Sequence, residues 1–257
     1  QSIDAHHDLL QGFAGSPSAN KVALEQSRTI KHVALSLTGE PITYPRINEA
    51  ITEYHKRGIS TFMVTNAQYV DQIRDLAPVT QLYLSVDAPN KPLLKEVDVP
   101  LFSDYWERLI GSLDELKKKQ GRTTIRLTMI KDVNMIDAKG YADLIRRGDP
   151  DFIEVKGYMF VGASRQRLSL KNMPFHEDVA AFVKELLPLL PEYDIASEHK
   201  PSRVLLLAKK RFYDGENKKW ETWIDFDRFH ELFEEYDEGK RDDIAADEYS
   251  VRFTKAD

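Results

Sequence analysis

Glu40, Asp87, Arg126, Glu154 and Lys156 are charged residues set within or just beyond short apolar runs, where core packing alone gives them no task. After the first run, Gly39-Glu40-Pro41 joins a residue free to take unusual backbone angles, an anionic acceptor suited to an ammonium group, and a ring that fixes the exit. An ordinary turn has the same composition. Thr65 and Asn66 follow the second run; both can donate and accept, or one of them caps the next helix. Ser85 and Asp87 lie two apart and so share one face of a strand. An inward Asp87 needs a partner, which a ligand hydroxyl or ammonium supplies; a cap or turn is the plainer role. Arg126 and Thr128 also share a face, and a guanidinium inside a fold is costly unless paired. Asp87, a substrate carboxylate or a purely structural ion pair would each serve. Glu154 and Lys156 share a face in turn. A lysine there can hold a carboxylate or form an imine, or simply pair with Glu154. His176, after Pro174-Phe175, reads as the start of a helix and as a further candidate for binding substrate.

These residues need a scaffold that brings strand ends together. The apolar runs at 32–37, 61–65, 82–86, 124–130 and 152–155 are short and poorly alternating, as strands buried on both faces are. Amphipathic stretches at 47–56, 69–76, 105–119, 138–147 and 177–190 follow them, and a helix near 3–13 precedes them. Strand and helix in this rhythm predict βαβ units in a parallel barrel or open sheet, whose ligands bind beyond the carboxyl ends of the strands. The chain lacks an initiator Met, and we read a strand as lost before residue 1. Residues 1–190 are expected to form the barrel part and 191–257 a smaller extension. The extension is read as strands at 195–196, 203–208 and 220–224, a turn at Asp214-Gly215 and a helix at 228–236. The mixed charges of 237–257 predict a solvated, mobile tail.

Composition narrows the classes. With 257 residues and 42% hydrophobic content, one sizeable core is expected. No stretch approaches the ~20 apolar residues of a membrane span, and a cytoplasmic protein with no membrane partner is expected. There is no cysteine, so no thiolate site, and the scattered histidines, with His6-His7 and Glu198-His199-Lys200, show no metal-ligand spacing. The net charge of −6 disfavours a generally basic nucleic-acid binder but leaves room for a local patch, with lysines 117–119 and Arg165/Arg167 as candidates. Phosphate-loop, dinucleotide, nucleophile-elbow and zincin motifs are missing, which removes those enzyme classes.

Several long strings resemble one family in order: HVALSLTGEPITYP at 32–45, FMVTNAQ at 62–68, PVTQLYLSVDA at 78–88, RTTIRL at 122–127, PDFIEVKG at 150–157, PFHE at 174–177 and WID at 223–225. They resemble the tRNA 4-demethylwyosine synthases of wybutosine biosynthesis, in their eukaryotic branch. The resemblance implies a partial (β/α)6 radical S-adenosylmethionine barrel. It implies a [4Fe-4S] cluster that reduces S-adenosylmethionine to a deoxyadenosyl radical. That radical condenses pyruvate carbons with N1-methylguanosine beside the anticodon of tRNA-Phe. It further implies an electron donor and an upstream flavodoxin-like domain carrying FMN. Gly39, Glu40 and Pro41 match the motif whose backbone meets the methionyl ammonium. Thr65, Asn66, Ser85 and Asp87 match polar positions near the methionyl carboxylate and ribose, and Lys156 and Gly157 the last barrel strand. The family's three-cysteine loop and the lysine that engages pyruvate belong upstream and have no counterpart here, so this chain alone is expected to be inactive. Two other readings stay open. One is a cluster-free homologue that binds tRNA or S-adenosylmethionine without catalysis. The other is an aldolase-like barrel in which Lys156 forms an imine.

Overall fold

In the computed structural model, residues 2–36 and 39–252 are described. Leu37 and Thr38, part of the first strand and motif as read from sequence, lie outside the described residues. Two helices open the chain, α1 (Ser2–Gln11) and α2 (Lys21–Ser27). Strands and helices then alternate: β1 (His32–Leu35), α3 (Ile47–His55), β2 (Ser60–Thr65), α4 (Val70–Arg74) and β3 (Gln81–Ser85). The helices α5 (Lys91–Asp98) and α6 (Tyr105–Leu116) lead to β4 (Thr123–Met129), α7 (Ala138–Gly148), β5 (Phe152–Gly157) and α8 (His176–Leu186). The five sequence-predicted strands and the helices between them are all present. Helices α2 and α5 are not among the expected elements. Asn90 caps α5 by accepting the Leu93 N–H at 3.1 Å, and Pro92 sits in the first turn, where its missing N–H costs nothing.

Strands β1 to β5 run parallel and in sequence order. Two further strands, β6 (Tyr193–His199) and β7 (Val204–Lys209), join the same seven-stranded sheet, β7 antiparallel to β5 and β6 antiparallel to β7. Strand direction therefore changes where the extension is expected to begin, while the sheet continues across that line. The sheet is an open, partial barrel. On its convex face Met63, Leu84, Leu127 and Val155 are fully buried in the main core with residues of α3, α6, α7 and α8. On the concave face Val64, Tyr83, Ser85, Arg126, Thr128, Glu154 and Lys156 are only half-buried. Alternation along each strand produces the two faces. The pairing sets Ser85 opposite Arg126, Arg126 opposite Glu154 and Thr128 opposite Lys156.

The rest of the chain closes the amino end of the strands. Two short pairs, β8 (Tyr213–Asp214) with β9 (Lys219–Trp220) and β10 (Trp223–Ile224) with β11 (Ser250–Val251), flank α9 (Phe226–Asp237). Phe226 meets His32 and Phe62 at ring distances of 4.4 and 6.4 Å. Residues 238–252 are not the solvated tail that their charge predicts: Ile244, Ala246 and Tyr249 are buried. The Tyr249 hydroxyl donates to the Thr80 carbonyl at 3.0 Å and accepts the Arg122 N–H at 3.0 Å. The Arg122 guanidinium, itself buried, donates to Gln81, Ser250 and the Thr222 carbonyl. A few apolar anchors among many charges are enough to fix this segment, and charge content alone hides them. Among the described residues, no helix is long and apolar enough to cross a membrane.

Candidate functional site

Among the predicted polar residues, Glu40 and Asn66 tie the carboxyl end of β1 to that of β2, and Asp87 and Thr128 tie β3 to β4. Gly39 takes φ +69°, a left-handed conformation suited to glycine, and a Cβ there would face open space. Pro41 starts a short turn of helix through Thr43, whose hydroxyl donates to the Glu40 carbonyl at 2.8 Å. The Glu40 carboxylate reaches across to β2, where Oε2 accepts the Asn66 N–H at 3.0 Å. Its other oxygen, Oε1, is buried without a hydrogen-bond partner among the described residues. Burial raises the Glu40 pKa, while the nearby Thr65 hydroxyl and the Asn66 N–H oppose that rise. Thr65 and Asn66 thus form a turn and hold Glu40; neither caps α4 by a side-chain bond.

Asp87 lies just beyond β3, facing the concave side. Its Oδ1 accepts the Thr128 N–H at 3.1 Å. Burial is the first cause of its raised pKa; Thr128 and the Arg126 charge pull the other way. Two buried residues hold this strand end. Asn134 donates to the Asp87 and Thr128 carbonyls at 2.8 and 2.7 Å, and the Tyr141 hydroxyl donates to the Asp87 carbonyl at 3.3 Å. Asp98, at the end of α5, stands near Asp87 in a recess. Desolvation, then the Asp87 charge, pushes its pKa up to about 7, against the pull of Arg167. Two adjoining cavities, about 360 and 550 Å³, share Asp87, Val97, Asp98 and Arg167 as walls. Asn66 and Ser85 line the first, and Thr128, Tyr158 and Asn172 the second. A separate hollow of about 200 Å³ at the amino end of the strands, around Val79 and Ile244, includes none of these strand-end residues.

Arg126 pairs with Glu154 at 2.8 Å and lies over the Tyr83 ring at 4.6 Å. Of the partners open to it from sequence, the structure selects the carboxylate opposite it in the register rather than Asp87. Glu154 takes Arg126 rather than Lys156. Lys156 consequently has no hydrogen-bond or ion-pair partner among the described residues. Its amine is free on the concave face, beside Thr128 in the pairing. Gly157 is needed for packing: a Cβ there would come within 3.1 Å of both Arg203 and Pro174. His176 does begin α8, and its Nε2 lies 3.0 Å from Glu198 Oε2, which lowers the Glu198 pKa. Its Nδ1 is buried without a partner among the described residues, and it lines neither cavity.

Sequence reasoning did not single out Asp98, Asn134 or Tyr141. Reading Asn90 and Pro92 as the start of a helix would have placed Asp98 at its end, facing the site. Asn134 and Tyr141 carry no comparable signal, because their partners include main-chain carbonyls distant in sequence.

The arrangement suits a zwitterionic ligand with a sugar. Glu40 Oε1 is an orphan acceptor for an ammonium group, Gly39 leaves room for close approach to the main chain, and Asp87 and Ser85 can meet hydroxyls. These residues fit S-adenosylmethionine. An iron–sulfur cluster is not matched: the chain has no cysteine, and no group of three metal-ligating side chains occurs among the described residues.

Residues 19–145 match the radical SAM superfamily and residues 147–209 match wyosine base formation. The S-adenosyl-L-methionine-dependent tRNA 4-demethylwyosine synthase TYW1 of Danio rerio is 48% identical over 98% of this chain, and that of Homo sapiens 46% identical over 98%. The chain spans 34% of the length of each. A solved structure of TYW1 with a lysine–pyruvate adduct bound superposes with a TM-score of 0.73 at 34% identity, over 81% of this chain and 67% of that one. An archaeal TYW1 superposes with a TM-score of 0.67 at 33% identity, over 84% and 68%.

Proposed function

This chain belongs to the tRNA 4-demethylwyosine synthase family, and from that membership we propose that it forms the S-adenosylmethionine-binding and substrate-facing part of such an enzyme. The reaction is the radical condensation of pyruvate carbons with N1-methylguanosine next to the anticodon of tRNA-Phe. One observation carries the reading: the buried Glu40 Oε1, without a hydrogen-bond partner among the described residues, beside the left-handed Gly39 at the carboxyl ends of adjacent parallel strands. When bound, S-adenosylmethionine is the source of the carbon radical that the chemistry needs.

The residues divide the work by position. Glu40 accepts the ligand's ammonium, and the exposed backbone at Gly39 lets it approach. Asp87, locked by Asn134 and Tyr141, accepts hydrogen bonds from ribose hydroxyls, with Ser85 and Asn66 lining the same cavity. Arg126 is held flat by Glu154 and Tyr83, and presents its remaining face to a substrate carboxylate. The free Lys156 amine supplies a second cation for that carboxylate. Pyruvate, tRNA-Phe, an electron donor and an FMN-bearing domain beyond this chain complete the proposal, as does a cytoplasmic location.

The missing cysteines favour a second reading, in which this chain binds S-adenosylmethionine or tRNA without catalysis. The test is to assay the chain and the full gene product side by side with N1-methylguanosine-containing tRNA, pyruvate and a reductant. The proposal expects the tricyclic base from a gene product that supplies the cysteines, and none when Glu40 or Asp87 is changed. No product from a cysteine-bearing gene product, or a gene product without cysteines, would favour the second reading.

A further inference from the structure

The loop that follows β5 differs in character from the rest of the molecule. About one residue in six of the whole chain is acidic, 42 of 257, yet the segment 155–176 contains no Asp or Glu. It carries Lys156, Arg165, Arg167 and Lys171. The same segment exposes large apolar side chains: Phe175 is 66% exposed, Leu170 63% and Val161 56%.

These residues form a continuous rim. Arg203, on the turn between β6 and β7, reaches Met159 Sδ at 3.1 Å and backs onto Gly157. Gly157 packs against Pro174, which leads into Phe175. Phe175 lies beneath the Lys131 ammonium at 5.9 Å, and the Lys131 N–H donates to the Asn172 carbonyl close to Leu170. Arg165 lies over the Phe160 ring at 5.3 Å. Arg165, Lys171 and Arg203 have no carboxylate partner among the described residues, whereas cations such as Lys131 and Arg147 do. Inside the rim lies the 550 Å³ cavity, walled on this side by Tyr158, Ser164, Arg167 and Asn172 and on the other by the carboxylates Asp87, Glu96 and Asp98.

We propose that this rim is a stacking platform for the unpaired nucleotides of an RNA loop, holding the phosphates while one base enters the cavity. Unneutralised cations track a phosphate backbone, and flat or polarizable side chains give bases a surface on which to stack. An acidic protein would use the cations but not the exposed Phe175 and Leu170. A purely apolar partner would leave the cations unused. The inference rests on the proposed function for its choice of RNA, and adds where and how the loop is held.

The probe is an unmodified anticodon-type RNA hairpin, compared with RNA duplex of equal length, titrated by fluorescence anisotropy over a range of salt. Two variants are compared with the parent, Phe175→Ala with Leu170→Ala, and Arg165→Glu with Lys171→Glu. The parent should prefer the hairpin. The apolar variant should weaken hairpin binding about fivefold or more with an unchanged salt slope. The charge variant should lower the slope by roughly 0.7 for each phosphate that the rim no longer neutralises. S-adenosylmethionine binding should be unchanged in both. Hairpin binding that neither variant disturbs overturns the platform and leaves the proposed function standing. No hairpin binding by the parent overturns both. Tighter binding of polyglutamate than of RNA assigns the rim to an acidic protein partner instead.

Discussion

Glu40 and Asn66 link the ends of β1 and β2: one carboxylate oxygen accepts the Asn66 N–H at 3.0 Å, and the other is buried with no hydrogen-bond partner among the described residues. A half-satisfied buried carboxylate is costly to fold, and a ligand ammonium removes the deficit. Glu40→Gln keeps an oxygen for Asn66 and loses the charge. It should melt close to the parent while binding S-adenosylmethionine about tenfold or more weakly in equilibrium dialysis. Because burial raises the Glu40 pKa, parent affinity should begin to fall on acidification at a higher pH than an ordinary glutamate would dictate.

Asp87 has two duties, to Thr128 and to the cavity. Asp87→Asn retains an oxygen for the Thr128 N–H, and Asp87→Ala does not. The alanine variant should lose about 1–3 kcal/mol of stability in urea denaturation along with ligand affinity. The asparagine variant should lose chiefly affinity. Equal affinity in all three proteins would remove Asp87 from the binding site.

Asp98 gives a pH signature. Its folded pKa of about 7 lies above the unfolded value of about 4, so the native state binds more protons across that window. Its contribution to stability is present below about pH 4 and is lost as the pH rises through about 7. Asp98→Asn should therefore melt higher than the parent at pH above about 7, with the difference shrinking on acidification. A difference that does not depend on pH would contradict the raising of the Asp98 pKa by burial and, second, by the Asp87 charge.

Tyr249 anchors the carboxyl-terminal segment through a hydroxyl bonded to both Thr80 and Arg122. Tyr249→Phe leaves a buried carbonyl and a buried N–H unpaired, which should cost about 1–3 kcal/mol in urea denaturation. A cost near zero would mean that the hydroxyl is dispensable and that apolar burial of Ile244, Ala246 and the Tyr249 ring, with the Arg122–Ser250 bond, holds the segment.

Lys156 carries a free amine, and its assigned role is charge. Lys156→Arg should keep most pyruvate affinity, and Lys156→Met should lose it. Borohydride reduction in the presence of pyruvate that fixed label on Lys156 would replace that role with imine formation.

Much of this site was legible because strand ends are legible. Glu40, Asp87 and Lys156 stand out as charged residues closing apolar runs, with Gly39 beside them as a turn residue, and a parallel sheet gathers such ends in one place. Pairing was not legible in the same way. Whether Glu154 would take Arg126 or Lys156 depended on the register, which sets Arg126 opposite Glu154 and leaves Lys156 opposite Thr128. Asp98 and the packed segment 238–252 were hidden for different reasons. Asp98 ends a helix whose proline start masked it, and the segment's burial rests on Ile244, Ala246 and Tyr249 scattered among charges.

The strand-end assignment meets its sharpest test in calorimetric titration of S-adenosylmethionine into the chain and into a Glu40→Gln, Asp87→Ala double variant. Saturable binding to the chain, and its loss in a double variant that remains folded, is the expected result. Equal binding to both proteins would place the ligand elsewhere and contradict the assignment of Glu40 and Asp87 to its site.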